Sequence, residues 1–177
     1  MDAAKRVVSV SPAGPDDPRL IEGLMQFYIY DFSEMEPAGS ANFEVEADGM
    51  FAAYPHLADY WSGQEADRHA LVIRVNGAPA GFVLINGHSH HGGTVEHNMA
   101  EFFVLRKHRG GGKANEALRQ VLAMFPGQWE VAVAQRNARA LAFWPRAIAA
   151  VEGVSNLTEA QGDGEHWTGP IWSFRMA

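Results

Sequence analysis

The sequence predicts a mixed α/β domain of the α+β kind, with a largely antiparallel sheet flanked by about four helices. Three observations predict it. Alternating apolar runs recur around turn residues in the middle of the chain, and Asn76-Gly77 is the strongest hairpin signal among them. Two runs of helical period, after residue 112 and after Asn137, are separated by one strand-like stretch. Two further strand-like stretches close the chain on either side of Gly162 and Gly164. The resulting order is strand, two helices, three meandering strands, helix, strand, helix, two strands.

Arg6 to Val10 alternates weakly and stops at Ser11-Pro12, a short first strand. Gly14 to Pro18 is a loop that becomes a helix start, with Asp16 or Asp17 as cap and Pro18 in the first turn. Leu20, Ile21, Leu24, Phe27, Tyr28 and Asp31 then share one face, until Pro37-Ala38-Gly39-Ser40 breaks the pattern. Residues 41 to 65 hold many aromatics without a clean period, and one short helix is expected near 56 to 62. Strands follow at Arg68 to Val75 and Ala80 to Asn86, then a turn at Gly87 to Gly93. Thr94 to Leu105 returns as a long strand with room for a bulge. A helix over 112 to 125 stops at Pro126-Gly127, Gln128 to Ala134 alternates as a strand, and a helix runs from Asn137 to about Ala150. The closing strands are Val154 to Ala160 and His166 to Phe174.

With 177 residues the chain is long enough for one domain with a real core. It has no run of about 18 apolar residues, so no membrane span is expected. Its first residues lack the apolar stretch of a signal peptide, and it contains no cysteine, which excludes disulfides and thiolate chemistry. Both features fit a cytoplasmic protein. A net charge of −7 disfavours non-specific nucleic-acid binding, which needs a broad basic surface. One basic patch stands out against it: Arg106, Lys107, His108, Arg109 and Lys113. That suits a small anionic ligand.

The patch lies inside the most informative stretch, Glu101 to Leu118. An apolar strand leads into a basic turn, Gly110-Gly111-Gly112, and then into a helix. Such a turn aims backbone N–H groups at an anion, the glycines permit close approach, and the helix N-terminus adds a positive partial charge.

The element order and this turn resemble the GNAT superfamily of acyl-CoA-dependent N-acetyltransferases. Arg109-Gly110-Gly111-Gly112-Lys113-Ala114 matches that family's pyrophosphate loop, and Val104 stands where the preceding strand usually has valine. One strand later, Asn137-Ala138-Arg139-Ala140-Leu141-Ala142-Phe143-Trp144 resembles its second motif. The resemblance implies the GNAT fold, a mostly antiparallel sheet of six or seven strands with strands 4 and 5 splayed apart. It implies acetyl-CoA as co-substrate, no metal, and a small, cationic amine as acceptor.

The same resemblance assigns roles. Amides of Arg109, Gly110, Gly111, Gly112, Lys113 and Ala114 would hold the pyrophosphate, and Arg106 and Lys107 could pair with phosphates. Backbone groups of Phe103, Val104 and Leu105, the Asn137 side chain, and Phe143 and Trp144 would accompany the pantetheine arm. Glu101 would be general base or amine-orienting carboxylate, with Glu96 a second choice. Trp144 departs from the pattern, because family members have tyrosine there as general acid and indole is no useful acid. Tyr28, Tyr30 and Ser33 are the alternative acids. Tyr28, Asp31, Glu34 and Tyr54 would line the acceptor pocket, where acidic and aromatic groups suit a cation. His88, His90, His91 and His97 read as a solvated turn rather than a metal site. A non-catalytic acyl-CoA sensor of the same fold is the second reading. A Rossmann-type nucleotide domain fits less well, because the glycine turn follows the fourth strand rather than the first. The aromatic-rich ends permit a homodimer.

Overall fold

A computed structural model describes residues 7–177. In chain order they form β1 (Val8–Pro12), α1 (Asp17–Ser33), β2 (His69–Val75), β3 (Ala78–His88), β4 (Thr94–Val104), α2 (Lys113–Met124), β5 (Gly127–Ala132), α3 (Ala138–Ala149), β6 (Val154–Gln161) and β7 (Pro170–Met176). Single 3₁₀ turns occupy Leu57–Tyr60 and Arg106–His108. The strands make one seven-stranded sheet in the order β1-β2-β3-β4-β5-β7-β6. Neighbours are antiparallel except β4 and β5, which run parallel.

The central strands are apolar on both faces because both are covered. On one face Phe82, Leu84 and Phe103 pack against Ile21, Leu24, Met25 and Ile29 of α1. On the other, Val83, Ile85 and Met99 meet Leu118, Val121 and Leu122 of α2 and Ile148 of α3. Each such side chain contributes about 1.5–3 kcal/mol by leaving water. Gly81 is required where β3 passes β4, since a Cβ there would lie 1.9 Å from the Phe103 carbonyl oxygen.

The register of β3 and β4 slips once. Ile85 pairs with Met99 and Leu84 with Glu101, so Ala100 has no opposite number. This bulge resets the alternation. Asn98 and Glu101, three residues apart, consequently face the same side of the sheet, the α1 side.

Edge strand β1 is covered by one side chain. The Val10 N–H donates to Gln120 Oε1 at 2.9 Å, and Gln120 Nε2 donates to the Val8 carbonyl at 2.9 Å. Gln120 thus substitutes for a strand on the open edge. Gln120→Leu is expected to destabilise the protein by about 1–2 kcal/mol, read as a lower urea midpoint with an unchanged m-value.

Several expected elements differ. Three α-helices are present among the described residues rather than about four. The helix expected near 56 to 62 is only the 3₁₀ turn Leu57–Tyr60, entered through His56 at a φ of 58°. Its aromatics pack one by one onto the α1 core instead of along a helical stripe. Phe27 is 56% exposed, and Met25 takes the buried place expected of it. β1 begins at Val8 and extends to Pro12, while Arg6 lies outside the described residues. β3 continues to His88, which shortens the turn, and β7 begins at Pro170 rather than His166. α3 runs through Pro145, whose missing N–H removes only one helical hydrogen bond. No helix among the described residues is long and apolar enough to cross a membrane.

Candidate active site

The parallel pair β4 and β5 touches over only two rungs, His97 with Trp129 and Asn98 with Glu130. Beyond them the strands part. β5 stays with β7 as far as Ala132 opposite Ile171, and β4 stays with β3 as far as Val104 opposite Gly81. The wedge between them is continuous with two cavities of about 870 and 530 Å³. They share Tyr28, Phe32, Phe102, Asn137, Ala140 and Trp144, and so form the two ends of one cleft.

The smaller cavity ends at the glycine turn. Gly110, Gly111 and Gly112 have φ of 80°, 62° and 75°, a left-handed run that side-chain-bearing residues resist. The run turns the chain into α2, and the N–H groups of these glycines have no protein acceptor among the described residues. Lys113 is buried, and its ammonium donates to the Gly110 carbonyl at 2.7 Å, which closes the turn from behind. The result is a set of amides and a helix terminus open to an anion. Asn137 caps α3, its Oδ1 accepting from the Ala140 N–H at 3.0 Å. Trp144 is buried, with Phe102 edge-on at 5.4 Å and Phe143 at 5.3 Å, and so walls the wedge.

The arginines of the basic patch are paired. Arg109 donates from Nε to the Val104 carbonyl at 2.7 Å and from Nη2 to Asp31. Arg106 meets Asp31 and Glu34 at 2.8 and 2.7 Å. Arg136 meets Glu36 at 2.8 Å. Of the four residues expected to line one pocket, Asp31 and Glu34 line the smaller cavity, at the glycine-turn end, Tyr54 the larger and Tyr28 both.

The larger cavity is organised around Glu101. Tyr54 donates to its Oε1 at 2.6 Å, and Tyr28 donates to its Oε2. Burial pushes the Glu101 carboxyl up to about 7, against the two tyrosine hydrogen bonds and the His90 charge, which pull it down. Burial also raises both tyrosines, Tyr28 strongly, with the Glu101 charge adding to it. At neutral pH they are donors to the carboxylate, not acids. Tyr30 stands apart: it is 54% exposed and lines neither cavity. Two residues along a helix turn it about 200° from Tyr28, so the pair cannot face one site. Ser33 Oγ is occupied by the Tyr30 carbonyl at 2.7 Å. Glu96 receives the Gln128 N–H beside the joined end of β4 and β5, away from the wedge.

Beyond Glu101 the cavity wall becomes polar. Asn98 bonds Asn86, and Asn86 bonds Tyr60, both at 2.9 Å. His90 packs on Trp167 at 4.7 Å with Nδ1 3.6 Å from Glu130. Burial opposes ionisation of Glu130, but hydrogen bonds from His90 and Ser89 outweigh it and lower its pKa. No group of three His, Cys, Asp or Glu among the described residues is arranged to hold a metal ion. Sequence reasoning missed Asn86 and Asn98; their signal is a lone amide inside each of two apolar strands.

A model of the acetyltransferase (GNAT) family matches residues 26–148. No curated protein matches the sequence. Among solved structures, an acetyltransferase from Thermus thermophilus aligns with a TM-score of 0.62 at 16% identity over 97% of each chain. The GNAT domain of S. lividans PAT aligns at 0.62 and 15% identity, over 100% of this chain and 99% of that one. The PaiA N-acetyltransferase from Thermoplasma acidophilum, in complex with coenzyme A, aligns at 0.60 and 8% identity, over 97% and 99%. At these identities the likeness is one of fold.

Proposed function

The chain belongs to the GNAT family of acetyltransferases, and from that premise we propose that it transfers the acetyl group of acetyl-CoA directly to a primary amine of a small, cationic acceptor. The observation that carries the reading is Glu101, a carboxyl held near pH 7 at the junction of an anion-binding turn and an aromatic cavity.

Acetyl-CoA, when bound, supplies the thioester carbonyl. The amides of Gly110, Gly111 and Gly112 and the N-terminus of α2 fit its pyrophosphate, and the wedge between β4 and β5 fits an extended arm. Of the strand residues expected to meet that arm, Leu105 donates its N–H to the Ala80 carbonyl, the Val104 carbonyl accepts from Arg109, and the Phe103 carbonyl faces β3, which leaves the Val104 N–H to the wedge. Lys113 and Ala114 begin the helix that faces the phosphates. Asn137, Phe143 and Trp144 form the opposite wall.

Glu101, ionised, accepts the proton of the acceptor ammonium and leaves a neutral nitrogen to attack. The new bond is N–C and the broken bond is C–S. The attacking nitrogen sheds its second proton to water as the thiolate leaves, the thiolate takes a proton from water, and Glu101 returns its proton to solvent. Tyr28 and Tyr54 orient the carboxylate from its two oxygens. Their hydroxyls are committed to Glu101, and Trp144 has no acidic proton, so this chemistry runs without a side-chain acid on sulfur. The aromatic wall offers cation–π contact to an ammonium.

The test is release of free CoA thiol across a panel of primary amines, with acetyl-CoA binding measured in parallel. Turnover above the no-amine rate is the expected result. Binding without release from any amine would instead favour a non-catalytic acyl-CoA sensor.

A further inference from the structure

Asn98, on the wall of the larger cavity, carries an acceptor with a fixed orientation and no partner. Asn98 is 1% exposed, and its Nδ2 donates to Asn86 Oδ1 at 2.9 Å. The assignment is forced by the network. Asn86 Oδ1 also accepts from the His88 N–H at 3.1 Å, while Asn86 Nδ2 donates to Tyr60 Oη at 2.9 Å. Turning Asn86 over would set one donor against another, so Asn98 must present nitrogen to it. Asn98 Oδ1 is left buried and without a hydrogen bond. A buried acceptor in that state is destabilising and calls for a donor.

Two other buried polar atoms among the described residues share the condition, and their residues also line this cavity. His90 Nδ1 has Glu130 Oε1 at 3.6 Å. Trp167 Nε1 sits beside Gly169, which precedes β7. Asn98 differs in being the acceptor among them and in sharing β4 with Glu101. The Ala100 bulge puts both on one face, and their β3 partners, Asn86 and Leu84, are two residues apart. Two strand residues span roughly 7 Å. The lining carries Glu44, Glu101, His88 and His90 and neither lysine nor arginine.

Resting on the acetyltransferase reading, we propose that Asn98 Oδ1 is a second contact for the acceptor. It takes a hydrogen-bond donor, an ammonium or hydroxyl, carried roughly three to five bonds from the reacting nitrogen. The substrate class is then short diamines and amino alcohols. Simple alkylamines leave the carbonyl oxygen unpaired. An ω-amino acid that seats its carboxylate there brings a second acceptor against an oxygen lone pair.

The experiment compares CoA release from three series of equal chain length: alkylamines, amino alcohols with diamines, and ω-amino acids. At the best length, kcat/KM for the donor-bearing amine is expected to exceed that of the alkylamine by about 10-fold, with the amino acid lowest. Asn98→Leu is expected to bring the first ratio toward one. Should that variant fold poorly, the wild-type ratio alone decides. Alkylamines used as well as amino alcohols would overturn the proposal and leave a water as the partner of Asn98. If no compound releases CoA, the acetyltransferase reading fails. Shifts in melting temperature produced by the same compounds then decide the contact, and equal shifts from alkylamines overturn it.

Discussion

Glu101→Gln lowers kcat by about 10²–10³-fold at pH 8 and removes a limb from the pH profile. In the wild type, kcat/KM rises with pH as the Glu101 carboxyl ionises at about 7. Glutamine keeps the shape, accepting from one tyrosine at Oε1 and donating Nε2–H to the hydroxyl oxygen of the other, but cannot take a proton. Any limb set by the acceptor's own ammonium stays in both profiles, so the missing one belongs to residue 101. Stability moves in the opposite direction. The folded pKa lies above the ordinary 4.5, so the protonated carboxyl contributes stability that is complete below about pH 4.5 and lost as pH rises through about 7. At pH 9 the glutamine variant should therefore be more stable than the wild type, by on the order of 2 kcal/mol. Initial rates from pH 5.5 to 9.5 and urea midpoints at pH 5 and 9 check both halves. An unchanged profile would remove Glu101 as base.

Gly112→Val weakens coenzyme A binding by about 30-fold or more while leaving the protein folded. Gly112 has φ 75°, so valine there costs about 1–2 kcal/mol of left-handed strain. Nothing in the protein lies within 4 Å of the added Cβ, so no packing clash adds to that cost. The loss falls on the ligand, because a branched side chain blocks the approach of a pyrophosphate to the amides of the turn. Calorimetric titration with coenzyme A, beside a thermal melt, separates the two effects. Full affinity in a folded variant would mean that the anion binds elsewhere.

The parts of the fold that were legible have local causes. Asn76 and Gly77 both take positive φ, 51° and 82°, and this made the β2–β3 hairpin readable. The glycine turn and the Asn137 cap are also local, and both lie where the sequence put them. Residues 41 to 65 resisted reading because nothing periodic holds them. A single bridge joins Val45 to Phe51, Gln26 bonds the Phe51 backbone twice, and Tyr54 is tied to Glu101. The separation of Asp31 from Tyr54 was not legible for a related reason. The partners of Asp31 lie 75 and 78 residues along the chain, and helical spacing gives a face but not the cation that meets it. The kinship of Asn98 with Glu101 was hidden by the bulge, since strict alternation sends residues three apart to opposite faces.

On the proposed acetyltransferase reading, the arginine pairs bear on how coenzyme A would arrive. Asp31, Glu34 and Glu36 already neutralise Arg106, Arg109 and Arg136 around the smaller cavity. Arg139 and Lys113 are left there without an acidic partner among the described residues, a short-range pull set against the −7 of the whole molecule. Capture must come from contact with the glycine-turn amides rather than from steering at a distance. Stopped-flow association rates for coenzyme A should stay flat or rise as salt increases, the reverse of an electrostatically guided encounter.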